Sequence, residues 1–316
     1  MLSHVFGWGV RARHALYARD YLTRQRLERP VIVVGNLSVG GSGKTPLVVW
    51  LVEQLRLAGS RPGVVLRGYG GSAARGREPT RVRADSPAAV VGDEALLLLA
   101  RTGAPVAVCA DRVRAARLLL AEGIDVIVAD DGLQHLRLAR DCEIVVIDGE
   151  RGLGNGYLLP AGPLREPATR LASVDAIVIN GEGYCGGITM PLAPIPMRLC
   201  GDRLQALDGN AAPVLLASLA GRRVHAVAGI GHPQRFFAQL RAAGLEPIEH
   251  AFPDHHGFRT GELSFGDALP VLMTEKDAVK CRGLGVPNGW YLPVSAEFAA
   301  AEAARLLRVV RGVLGD

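Results

Sequence analysis

Aromatic residues are scarce, at 5% of 316, which counts against a surface that stacks single-stranded bases. No nucleic-acid partner is expected. Cysteine is scarce too: Cys109, Cys142, Cys185, Cys200 and Cys281 make an odd number with no C-x-x-C pair. That excludes a disulfide framework and points to reduced cytosolic thiols, mostly filling core. No apolar run reaches the roughly 18 residues of a membrane span, and no signal-peptide core stands before a small-residue cleavage site. Neither sign of charge dominates: 36 Lys and Arg against 31 Asp and Glu give +5, with a pI near 9.1. That excess suits an anionic ligand, an anionic membrane surface or nucleic acid, and selects none of them. What remains, 49% hydrophobic and 21% charged, is globular, with length for one large or two medium domains.

The most informative stretch runs from Val31 to Pro46, VIVVGNLSVGGSGKTP. An apolar run reading as a buried strand meets a glycine-rich turn, then Lys44-Thr45, then a helical pattern to about Leu57. Strand, glycine turn, Gly-Lys-Thr and helix is the order of a P-loop. Residues Ser38, Val39, Gly40, Gly41, Ser42, Gly43, Lys44 and Thr45 are the expected phosphate cradle. Gly40, Gly41 and Gly43 let backbone N–H groups converge on an anion, and the helix dipole points the same way. Lys44 supplies a charge for the β- and γ-phosphates, and the Thr45 hydroxyl a ligand for Mg²⁺. Ser38 stands where the general pattern has glycine.

Ahead of this stretch, residues 1–30 mix Phe6, Trp8, Leu16, Tyr17 and Tyr21 with six arginines between Arg11 and Arg29. The pattern fits an amphipathic helix, either interfacial on a membrane or packed on the domain with a solvated basic face. Beyond the P-loop, strands read at Gly63–Arg67, Ala104–Ala110, Ile124–Asp130, Glu143–Asp148 and Asp175–Asn180, with a helix from Asp111 to about Glu122. Strands alternating with helices make a parallel doubly wound sheet. Loops at the strand ends are where such sheets bind ligands. Gly68-Tyr69-Gly70-Gly71 is one, continuing through Arg75, Arg77, Arg81 and Arg83 as a solvated run or an anion-facing rim. Gly92-Asp93-Glu94 precedes a helix that is apolar all round, where helix capping is the plain reading of the carboxylates. Asp130-Asp131, followed by Gln134 and His135, ends an apolar strand as a Walker B carboxylate does, beside Mg²⁺. The Gly- and Pro-rich stretch 149–167 positions Arg165 and Glu166.

Composition shifts to Gly and Pro between Gly181 and Asn210, which reads as a linker with a short hairpin. The strand–helix pattern resumes with Arg223–Ile230, a helix from Pro233 to Ala243, a strand near 246–251, a strand with a charged end at Pro270–Asp277, and an amphipathic helix at 296–312. Asp254-His255-His256 lacks an evident third ligand, so a loop histidine for proton transfer or ligand contact is preferred over a zinc site.

Seven motifs now stand in one order: the stretch 35–46, Arg67-Gly-Tyr-Gly70, Gly92-Asp-Glu94, Asp130-Asp-Gly-Leu-Gln-His135, Leu159–Pro167, Asp254-His255 and Thr274–Lys280. In these the chain resembles the tetraacyldisaccharide 4′-kinase family, the lipid A 4′-kinases of Gram-negative bacteria, over nearly its whole length. Ser38 is that family's own form of the P-loop. The resemblance implies an α/β fold: a P-loop NTPase-type parallel sheet domain with a second, smaller α/β domain and a two-stranded linker. The divisions are a membrane-associating segment 1–30, the kinase domain 31–181, a linker 182–210, the smaller domain 211–295, and a terminal helix 296–316 returning to the first domain. It implies ATP and Mg²⁺ as cofactors, with transfer to the 4′-hydroxyl of an acylated glucosamine disaccharide 1-phosphate lipid. It places the protein peripherally at the cytoplasmic face of the inner membrane. By the same match Asp93 is the base, His255 assists it from the second domain, and Lys44 holds phosphate. Thr45, Asp130, Asp131 and Glu166 are the metal set, and Tyr69, Glu94, His135 and Arg165 the substrate contacts. A P-loop GTPase or metal-insertion ATPase is the alternative. Thr274-Glu-Lys-Asp277 loosely matches a guanine-reading Asn-Lys-x-Asp, but with the wrong spacing. A nucleotide-binding adaptor without catalysis is a third class.

Overall fold

The computed structural model describes residues 2–181 and 190–315. Residues 182–189 of the expected linker, Cys185 among them, lie outside these. The chain opens with α1 (Leu2–Ala18). The first α/β run is β1 (Val31–Gly35), α2 (Lys44–Leu57), β2 (Pro62–Leu66), β3 (Thr80–Arg81), α3 (Ala88–Val91), α4 (Asp93–Thr102), β4 (Val106–Val108), α5 (Arg112–Leu120), β5 (Val126–Asp130), β6 (Cys142–Asp148) and β7 (Ala176–Asn180). There follow β8 (Ile195–Cys200), β9 (Arg203–Ala206), β10 (Val214–Leu215), β11 (Arg223–Ala228), α6 (Pro233–Ala242), β12 (Glu246–Ala251), β13 (Val271–Thr274), α7 (Glu275–Cys281), β14 (Gly289–Leu292), β15 (Ser295–Glu297) and α8 (Ala300–Leu314).

Two sheets result. The larger runs β15-β8-β7-β6-β1-β5-β2-β4-β3, the smaller β10-β9-β14-β13-β11-β12. β1 is central because it is apolar on both faces: Val31 to Val34 are all buried, each worth roughly 1.5–3 kcal/mol. Parallel neighbours β5 and β6 flank it, and helices cover both faces, as parallel sheets require. One face packs Ile32, Leu47, Leu51 and Leu98, with Leu306 and Val310 of α8. The other packs Val33, Val113 and Leu119. The terminal helix α8 thus packs on the larger sheet.

The two-stranded linker is built from distant pieces. β8 pairs antiparallel with β15 in the large sheet, and β9 antiparallel with β14 in the small one. The two chain crossings between domains thus run side by side. They are close enough that a Cβ at Gly201 would stand 2.5 Å from the Pro293 carbonyl oxygen. β8 and β9 do not pair with each other: β8 lies between β7 and β15, and β9 lies between β14 and β10, with β10 closing a hairpin that runs past residue 210.

Other local differences have local causes. Only Val271–Thr274 of the expected strand 270–277 is extended. The Thr274 hydroxyl accepts from Asp277 N, an N-cap that starts α7. The terminal helix begins at Ala300 because Ser295–Glu297 is engaged with β8. Arg81 lies in an edge strand against β4 and pairs with Glu122 at 3.0 Å, so it is not on an anion-facing rim. α4 is only half buried along Leu96, Leu97 and Leu99, because one side of it faces a cleft that Leu97 lines.

In α1 the seam toward the protein holds small and polar side chains. Gly7 and Tyr17 are buried, Ser3 donates to the Leu158 carbonyl at 2.6 Å, and His14 Nε2 meets Glu166 at 3.0 Å. Leu2, Val5, Phe6 and Leu16 are exposed, and Trp8 is 71% exposed. Among the described residues no helix is long and apolar enough to cross a membrane.

Candidate active site

The loop between β1 and α2 curls through left-handed φ angles of 97° at Gly40 and 92° at Gly43. Gly41 needs no such freedom and has open space around it. The stretch 158–165 braces the loop from outside. Val39 N donates to Pro163 O at 2.8 Å, and Arg165 N to Leu37 O at 2.6 Å. This places the Arg165 guanidinium against Asn36 and bidentate on Asp131, at 2.9 and 2.8 Å. Lys44, the first residue of α2, sets Nζ 3.6 Å from Asp131 Oδ1. Arg165 hydrogen bonds and the Lys44 charge hold the Asp131 carboxyl well below its usual range, outweighing burial.

Asp130 differs from its neighbour. It ends β5 at 2% exposure, and its Oδ1 has no hydrogen-bond partner among the described residues. Burial, then the nearby Glu94 carboxylate, pushes its pKa up to about 7 against the pull of Lys44. A buried carboxylate with an orphaned oxygen beside a phosphate loop is a site short of a cation. Asp130 therefore fits a cation such as Mg²⁺, and Thr45 lines the adjoining cavity. Glu166 does not join Asp130. Its carboxylate is taken by Gln134 at 2.8 Å, His14 at 3.0 Å and Arg170 at 3.3 Å. These partners hold its pKa down despite burial.

Ser38, Val39, Gly40, Lys44, Tyr69, Glu94, Asp130, Asp131, His135 and Arg165 line one cavity of about 670 Å³. Burial and the Arg112 charge push His135 down to about 4, so it is neutral at pH 7. A second cavity of about 420 Å³ is lined by the loop from Gly40 through Thr45, by Leu97, Leu199, Phe236 and Val294, and by His255 and Lys276. Gly40, Lys44, Glu94 and Asp254 border both, so the two form one cleft between the domains.

Across this cleft His255 meets Asp93. Asp93 is the first residue of α4, 4% exposed, with no capping hydrogen bond from a preceding side chain. His255 Nδ1 donates to its two oxygens at 3.0 and 3.2 Å. His255 itself sits at φ 62°, with its N–H on Asp254 Oδ1 at 3.0 Å. Tyr69 stands against the ring, centroids 5.1 Å apart. The hydrogen bond to Asp93 raises the His255 pKa. Burial raises that of Asp93, but the His255 bond and the Lys276 charge outweigh it and lower it. A zinc site is not what the histidines make: His256 pairs with Glu262 at 3.0 Å, His250 with His225 at 2.9 Å. No group of three metal-ligating side chains gathers among the described residues.

Residues 1–311 match the model of the family "Tetraacyldisaccharide-1-P 4'-kinase", LpxK. The chain is 55% identical over 306 residues to the tetraacyldisaccharide 4′-kinase of Alkalilimnicola ehrlichii, covering 96% of this chain and 89% of that one. It is 51% identical over 318 residues to that of Xanthomonas campestris pv. campestris, covering 97% and 90%. The chain belongs to the tetraacyldisaccharide-1-P 4′-kinase family. Its fold matches a crystal structure of LpxK from Aquifex aeolicus in complex with ATP, with TM-score 0.81, 27% identity and coverage of 99% and 97%. The protein is thus an ATP-dependent kinase with the family's P-loop fold. The switch-GTPase alternative loses its footing. Asp277, the residue likened to a guanine reader, is fully buried and held by Gly229 N at 2.9 Å and the Thr274 hydroxyl at 2.6 Å.

Some features of the cleft and its surroundings were not anticipated. Arg112, at the start of the helix expected from Asp111, is buried against the first cavity, and burial lowers its pKa to about 10. Asp148, at the end of β6, takes Arg235 of α6 bidentately at 2.5 and 2.9 Å, tying the domains together. Arg151 reaches the Gly41 carbonyl and His232 at 2.8 Å. An apolar strand ending in Asp148 repeats the form of β5 ending in Asp130, and that was the one signal available.

Proposed function

We propose that the cleft transfers the γ-phosphoryl of ATP to the 4′-hydroxyl of tetraacyldisaccharide 1-phosphate, giving lipid IV-A, with the Asp93–His255 pair taking the hydroxyl proton. The observation that carries this reading is that pair: two titratable groups from different domains, in hydrogen-bond contact beside the P-loop. A sugar hydroxyl is a poor nucleophile at neutral pH, and a positioned base contributes roughly 10²–10⁴-fold. Lys44 and the loop amides hold the phosphates. Asp130 and Thr45 would hold Mg²⁺, which supplies charge neutralisation when bound. Asp131, already neutralised by Arg165 and Lys44, orients those cations from behind. Tyr69, Glu94, His135 and Arg165 line the side where an anionic sugar headgroup fits. Incubation with γ-labelled ATP should label the lipid acceptor. Label released only to water, at a rate indifferent to the lipid, would count against it.

Asp130→Asn should raise the Mg²⁺ concentration giving half-maximal rate by about 10-fold or more, since one charged ligand is lost. Mg²⁺ titrations at fixed ATP measure this, and an unchanged midpoint would remove Asp130 from the metal set.

We place the protein peripherally at the cytoplasmic face of the inner membrane, anchored by the outward apolar face of α1. Leu2, Val5, Phe6 and Trp8 are exposed there, and Arg11 and Arg13 follow on the same helix, a composition suited to an anionic bilayer surface. Phe6→Glu/Trp8→Glu should cut cosedimentation with anionic phospholipid vesicles by about 10-fold or more. It should leave the His14–Glu166 contact, and hence turnover of detergent-dispersed lipid, in place. Vesicle binding equal to that of the unaltered protein would return α1 to an ordinary packed helix.

A further inference from the structure

We propose that Lys276 is a positioning residue for the transfer: it locks His255 and Asp93 into register across the cleft and leaves Asp93 as the member that takes the proton. This rests on the base-pair reading above. Lys276 belongs to α7 of the small domain, one residue past Glu275. Its Nζ lies 3.5 Å from Glu94 Oε1 and 3.4 Å from Asp254 Oδ1, and 3.4 Å from His255 Nε2. It is the point where α4, the loop carrying His255 and α7 converge.

The pairing of α4 with α7 has a polarity. The N-terminal end of α4 presents Asp93 and Glu94, and small-domain groups His255 and Lys276 meet them one each. Further along the same helix Arg101 meets Glu275 at 2.7 Å. Neighbouring residues of α7 thus carry opposite charges against opposite charges of α4. A slip of α7 along α4 would set like charges together, so this arrangement fixes one docking of the small domain. That docking brings His255 onto Asp93.

Lys276 also orders the histidine itself. The ring gives its Nδ1 hydrogen to Asp93, and the ammonium group stands at Nε2, where it is a donor and the ring nitrogen must accept. Held between the Asp93 carboxylate and the ammonium, the neutral ring keeps its hydrogen on Nδ1, and Nε2 is occupied by Lys276 with Asp254 Oδ2 farther off at 3.8 Å. The carboxylate is the acceptor left. Asp93 and His255 face Lys276, Lys280, Asp254 and Glu94 as their charged neighbours, with the Tyr69 ring alongside. Among these Lys276 is the largest Coulombic influence on Asp93, and it disfavours a proton on either member of the pair.

Removing the charge therefore moves the acid limb of kcat one way only, whichever member holds the proton. Lys276→Met should lower kcat roughly 10- to 100-fold with the KM for ATP within a few-fold. The acid limb should move up by about one pH unit. Lys276→Gln, which keeps a polar end in place, should move the limb likewise and serves if the methionine variant melts early. Lys276→Arg should return most of kcat and the original limb. Label transfer by the unaltered protein is the control. If it fails, the kinase reading fails; if it succeeds, the variants test Lys276 alone. A limb that stays in place in both uncharged variants, whether or not kcat falls, would overturn the proposal.

Discussion

Asp93→Asn should lower kcat by about 10²–10⁴-fold, the usual size of a lost general base, while affinity for ATP and Mg²⁺ stays within a few-fold. The split follows from where the group sits. Asp93 heads α4 and faces His255, whereas we assign the phosphates to the loop and Lys44, and the metal to Asp130. Removing a group that acts only on the acceptor costs the chemical step and spares donor binding. The substitution also keeps the shape of a residue that is nearly fully buried, and an amide oxygen can still accept from His255 Nδ1, so the fold should persist. Steady-state kinetics with nucleotide titration measures both quantities. If Asp93→Asn loses Mg²⁺-nucleotide binding while Asp130→Asn keeps it, the two carboxylates have each other's roles.

Lys44→Ala should reduce turnover by at least about 10²-fold without unfolding the protein. A cation aimed at charge that develops during transfer is worth about 3–4 kcal/mol in a water-poor site. Its loss also leaves Asp131 with Arg165 as its one remaining short ion-pair partner among the described residues and frees Asp130 from the cation that opposes its protonation. The variant should therefore bind nucleotide more weakly as well as turn over slowly. Thermal unfolding alongside label transfer separates the two effects. Near-normal phosphorylation by a folded Lys44→Ala protein would sink the P-loop assignment.

The parts legible in the sequence were those encoded by neighbours. Val31–Thr45 names its own structure because strand, turn and helix start follow one another, and each residue type answers a local need. Asp130 was legible for the same reason, as the polar end of an apolar run. Pairings between distant segments were not. Glu166 carries no mark that His14, far upstream on α1, occupies it. β8 and β15 are short, and nothing within either announces the other. Arg235 and Asp148 look like a helix arginine and a strand terminus until the domains meet. The helix start at Thr274–Glu275 was present in local chemistry, as a threonine N-cap three residues before Asp277, but a preceding apolar run drew the strand reading onward. In α1 the aromatic and arginine pattern was visible, yet which face turns inward depends on a small seam at Ser3, Gly7 and His14 that fits Leu158 and Glu166.

The most direct test of the base pair is the pH profile of kcat for the unaltered kinase and for Asp93→Asn. His255 takes a proton above the ordinary histidine value of 6.5, because its hydrogen bond to the Asp93 carboxylate stabilises the imidazolium, and that proton in turn makes Asp93 a poorer base. Turnover of the unaltered protein should therefore rise with pH through an apparent pKa above 6.5. In Asp93→Asn the anion is gone, His255 loses its support, and the limb of the residual activity should move to lower pH. An acid limb at the same pH in both proteins would contradict the account, because the group that sets it would then be neither Asp93 nor a histidine bound to it.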